Sequence, residues 1–139
     1  MKATNLPQFH TSIDQFNVHV RTVASQMVRR VAFAVDKAVV MASPVDTGRF
    51  RANWQVTVGA PATGTVKHVP GMKGSTAGVN AAKAMEQIMP LMQTYQLGQP
   101  IYIVNNLVYG PRLNDGHSKQ APENFVQKAI RAGVAEANR

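Results

Sequence analysis

From Ile13 onward the apolar residues step by three and four: Ile13, Phe16, Val20, Val23, Met27, Val31, Ala34, Ala38 and Met41. That period places them on one side of an α-helix of about eight turns, roughly 45 Å long. Asp14, Arg21, Ser25, Arg29, Asp36 and Lys37 occupy much of the remaining surface. Thr11 or Ser12 suits the N-cap, and Ser43–Pro44 ends the helix because proline pushes the residue before it out of the helical region. Residues 1–11 then read as an N-terminal arm.

The period becomes two at Trp54, Val56 and Val58, interleaved with Gln55 and Thr57, as in a half-buried strand. Before it, residues 44–48 form a turn in which Asp46 or Thr47 accepts a hydrogen bond from a backbone N–H ahead of it. A short helical turn follows through Arg51. Residues 59–78 are rich in Gly, Pro, Thr and Ser with little to bury, which predicts a long, flexible hairpin loop holding a short strand at 65–69. Ser75 or Thr76 caps a second helix bearing Val79, Ala82, Met85, Ile88, Met89 and Met92, kinked or ended at Pro90.

Ile101, Tyr102, Ile103 and Val104 are β-branched and aromatic, and read as a second strand. The densest turn chemistry in the chain follows at 109–126, YGPRLNDGHSKQAPENFV. Gly116 supplies a residue able to take positive φ, and Pro122 and Glu123 suit the first turn of a closing helix with Phe125, Ala129, Ile130 and Val134 inward. So few strands cannot hide a face alone, so a small antiparallel sheet should pack on the long first helix. The expectation is an α+β fold in one domain spanning 1–139.

Composition adds three constraints. Fifteen Lys and Arg against seven Asp and Glu give a net charge of +8, which suits proximity to an acidic surface such as nucleic acid, although the charges form no block. At 16% charged residues the chain is poorer in charge than average, which favours burying part of its outside against copies of itself. Cysteine is absent, so neither disulfide nor thiolate metal ligand is available, and no apolar run reaches membrane-spanning length. With no signal-peptide h-region at the N-terminus, a soluble, non-exported protein is expected.

Asp115, His117 and Ser118 contain the residue types of a hydrolytic triad. A triad requires side chains converging from separate elements, and residues this close on one turn rarely point at one another. His10, His19, His68 and His117 lack metal-ligand spacing, and GMKGS at 71–75 lacks the spacing of a phosphate-binding loop. Asp46 and Asp115 are the only carboxylate pair worth considering. These failures argue against an enzyme and against a bound metal or cofactor.

Two motifs carry a resemblance. Residues 44–54, PVDTGRFRANW, follow a long helix. In the second half, IYIVNN at 101–106 and Tyr109 precede LNDGHSKQAP at 113–122. Together they resemble the small tail-component, or tail-completion, family of long-tailed bacteriophages, over residues 43–54 and 101–132. The chain departs from the family pattern at Asn114–Asp115, where Glu often comes first, and at Glu123–Asn124.

The resemblance implies a non-enzymatic virion structural protein at the head–tail neck, assembled in the cytoplasm of the host bacterium. It would act in tail completion or head–tail joining, as a six-fold ring around the channel through which double-stranded DNA passes without sequence specificity. Its neighbours would be connector and tail-tube or terminator proteins. A tail terminator or head-closure connector ring is the alternative within that class; a sequence-independent nucleic-acid-binding module is the alternative outside it. On the ring reading, Asp46, Thr47, Gly48, Arg49, Asp115, His117, Ser118, Gln120 and Pro122 lie at or near subunit contacts. Arg29, Arg30, Lys67 and Lys73 face the DNA channel.

Overall fold

The computed structural model describes residues 6–139. The element order is α1 (Leu6–Ala42), α2 (Arg49–Ala52), β1 (Trp54–Val58), α3 (Ala77–Met85), α4 (Ile88–Thr94), β2 (Ile101–Asn105), α5 (Gly110–Asn114) and α6 (Phe125–Ala137). The strands pair antiparallel, with Trp54 opposite Asn105 and Val58 opposite Ile101. This is the expected α+β fold.

Helix α1 is longer than its capping signals suggest. Its 37 residues span about 55 Å. It begins at Leu6, so the expected 1–11 arm is helical from residue 6, and residues 1–5 lie outside the described residues. Pro7 is tolerated because first-turn N–H groups have no intrahelical acceptor. Thr11, expected as a cap, sits inside the helix and donates from Oγ1 to the Pro7 carbonyl at 3.1 Å.

The principal partner of α1 is α6, which runs antiparallel along residues 30–40. Phe125, Ala129, Gly133 and Ala137 recur every four residues and bury the inner ridge of α6. A Cβ at Gly133 would stand 2.7 Å from Val35 Cα and 2.8 Å from the Ala34 carbonyl oxygen, so glycine sets the close approach of the two helices. Phe125 continues into the main core, edge-on to Phe50 at 6.1 Å, and Phe50 in turn meets Trp54 edge-on at 6.0 Å. The sheet touches α1 through a smaller cluster of Ala32, Val56 and Ile88.

The 44–54 motif is largely a folding device. Gly48 takes φ 82°, and a Cβ there would collide with the Asn80 amide. Buried Arg51 donates from Nη2 to the Met41 (2.9 Å) and Ser43 (3.1 Å) carbonyls, closing off the C-terminal end of α1. Burial lowers its pKa from the usual guanidinium value. Trp54 Nε1 donates to Ser43 Oγ at 2.7 Å, so the lone Trp anchors the core with its polar atom satisfied.

The 59–76 segment forms no strand at 65–69. It is laid back over the outer face of β1 and held by side chains. Asn53 accepts from Val66 N–H (2.8 Å) and donates to its carbonyl (3.3 Å); Asn80 clasps Val69 in the same way, at 2.8 and 2.9 Å. Gln55 and Asn106 each donate to the Gly64 carbonyl at 3.0 Å. Asn53, at the end of α2, and Gln55, on β1, hold the segment from one side, so that side-chain bonds stand where a third strand's ladder would.

Pro90 sits inside the first turn of α4. The expected second helix is instead broken at Glu86–Gln87 into α3 and α4. The closing helix starts at Phe125, with Pro122 and Glu123 outside it and Asn124 at φ 61° before it. Asn114 shapes that entry, accepting from Val126 N–H at 3.0 Å.

One buried group stands without compensation. Asp36, on the inner face of α1, is 1% exposed, and neither carboxylate oxygen has a hydrogen-bond partner. Desolvation raises its pKa to about 7.

Candidate subunit-contact cleft

The two motif regions, far apart in sequence, are pinned side by side. Gln120 Oε1 accepts the Val45 N–H at 2.8 Å, bridging the turn after α1 to the knuckle after α5. Between them lies a cleft of about 390 Å³. Its floor is Pro44, Phe50, Tyr109 and Leu113, and its rim is Asp46, Thr47, Gly48 and residues 117–120. An apolar floor inside a polar rim is the general anatomy of a protein–protein contact.

The rim is shaped by local chemistry. Thr47 Oγ1 accepts from Arg49 N–H at 3.3 Å, the local bond expected for this turn, whereas Asp46 Oδ1 accepts from the distant Lys73 N–H at 3.4 Å. On the opposite side Ser118 Oγ accepts from Gln120 N–H at 3.1 Å. Gly116, at φ 94°, ends α5 and turns the chain back. The Arg49 guanidinium lies over the Tyr109 ring at 6.0 Å from the centroid. Burial pushes the Tyr109 hydroxyl pKa up, and the charge of Arg49 acts in the opposite direction.

The contact residues read from sequence therefore divide. Asp46, Thr47, Gly48, His117, Ser118 and Gln120 come together on the cleft, whereas Arg49, Asp115 and Pro122 are exposed outside it. Gly48 is buried and serves the backbone. Asp46 and Asp115 do not share the cleft, and no hydrogen bond joins Asp115, His117 and Ser118. Among the described residues, no three His, Asp or Glu side chains gather as a metal site would require, and no helix is long and apolar enough to cross a membrane.

The four cations read as channel-facing lie in two places. Arg29 donates to the Tyr95 carbonyl at 2.7 Å and Arg30 to the Ala137 carbonyl at 3.5 Å, each at the C-terminal end of a helix. Lys67 and Lys73 are exposed on the 59–76 segment. The aromatic floor, Phe50 and Tyr109, was not singled out from sequence as part of the contact. Both fall in the two motifs, and that shared membership was the available signal.

Neither a family model, nor a curated protein, nor a solved structure matches the chain.

Proposed function

We propose that this chain is a structural protein of a bacteriophage head–tail neck, acting in tail completion or head–tail joining as a ring around the DNA channel. The observation that carries the reading is the cleft. The two segments that resemble the tail-component family meet there, around an apolar floor left open to a neighbour. A heterologous contact, in which the cleft of one subunit receives a different surface of the next, closes into a ring when the rotation permits. The net charge of +8 suits a ring through which DNA passes.

Light scattering and negative-stain imaging of the purified chain test this reading. Rings are expected for the wild type, and Ser118→Arg, which places a long charged side chain on the rim, is expected to yield smaller species with unchanged circular dichroism. Monomers at high concentration, together with no ring in assembled particles, would overturn the proposal. A free nucleic-acid-binding module would instead bind DNA tightly as an isolated chain, with a steep salt dependence.

A further inference from the structure

The N-terminal part of α1 carries a pattern different from the rest of the helix. Leu6, Phe9, Ile13, Phe16, Val20, Val23 and Met27 alternate steps of three and four without interruption. That is a 3.5-residue repeat over three heptads, with Leu6, Ile13, Val20 and Met27 at one core position and Phe9, Phe16 and Val23 at the other. After Met27 the step to Val31 is a second four, and the strict repeat ends where α1 joins the body.

This seam is bare. Six of its seven side chains are between 43 and 66% exposed, and Ile13 is half-buried. The body reaches this part of α1 from the other side: Val18, Thr22, Ser25 and Arg29 face residues 95–97 across a cleft. At 3.6 residues per turn those positions lie nearly opposite the seam. Farther along, α6 covers the same stripe at Ala34 and Val35, and its last turn ends beside Arg30. A helix is thus what the chain itself lays on this stripe.

We infer that residues 6–27 form a self-association seam, on which the same segment of a second copy of this chain packs helix to helix. Three observations select that occupant. An uninterrupted 3.5-residue repeat calls for another helix rather than a strand or an extended peptide. The flanking positions His10, Ser12, Asn17, His19, Ala24 and Gln26 bear no carboxylate, Lys or Arg, so no oppositely charged partner is specified. The exposed part of the seam amounts to roughly 500 Å² of apolar surface, a large share of the ~800 Å² per partner of a standard interface. The inference concerns α1 alone and holds whether or not the cleft closes a ring.

The test is sedimentation or light scattering of the full chain across a concentration series, with a V20E/V23E double variant. Wild-type protein is expected to associate, and the variant to do so at least 100-fold more weakly. Because the chain has no cysteine, Phe16→Cys, at the centre of the seam, reports directly by oxidation. A disulfide-linked dimer is expected for a parallel, in-register pair, in which like core positions face each other. A monomeric wild type, or association unaffected by V20E/V23E, would overturn the inference. Rim-blocked Ser118→Arg protein is expected to keep its seam pairs after losing rings, so the two proposals fail separately.

Discussion

The two ends of α1 carry one apolar stripe and meet opposite fates. Toward its C-terminal end α6 lies on Ala34 and Val35, and Ala34 is 6% exposed. Toward its N-terminal end, Leu6 and Phe16 stand in solvent. Periodicity records which side of a helix wants a partner, and it is silent on whether that partner belongs to the same chain. The spacing itself holds a further clue: a strict 3.5-residue repeat marks the bare end, and the wider drift marks the covered end.

The largest way to probe the covered end is through Asp36. Its folded pKa, about 7, lies above the unfolded value of 3.8, so the folded state holds the proton more tightly. The contribution of Asp36 to stability is then greatest below about pH 4, falls as pH rises toward 7, and is level above that. The difference amounts to at most about 4 kcal/mol. Asp36→Asn is expected to remove this slope and raise the melting temperature at pH 8; a slope that persists in the variant would show another group to be responsible.

Gly133→Ala comes next. Its added methyl meets backbone rather than a yielding side chain, so separating α6 from α1 is expected to cost about 1–3 kcal/mol in urea denaturation. The smallest effect belongs to the bare end. Phe16→Gln is expected to change the stability of dilute protein by less than about 0.5 kcal/mol, because Phe16 is 56% exposed and lies outside both core clusters. A loss like that at Gly133 would mean that the two ends of α1 are not different after all.

Much of this fold was legible in the sequence. Both strands, the short turn through Arg51 and the closing helix came from period and propensity, because each buries one face against the chain's own core. The N-terminal arm was misjudged since Thr11 offered a cap that α1 does not use. The 65–69 strand failed because its hydrogen-bonding partners are the side chains of Asn53 and Asn80, which no periodicity reports. At the cleft, the motifs named the right neighbourhoods. They could not separate Gly48, kept for its backbone and its fit against Asn80, from Thr47 and Ser118 on the rim.

The path of the 59–76 segment is written mostly outside it, in four amide side chains at positions 53, 55, 80 and 106. These amides grip main-chain atoms and are indifferent to what the gripped residues carry. Residues 60–63 and 65 are therefore nearly free to change without altering the route, and a short tag or recognition peptide could be grafted there. The same arrangement would let a lineage revise what this surface displays while the scaffold beneath it stays fixed.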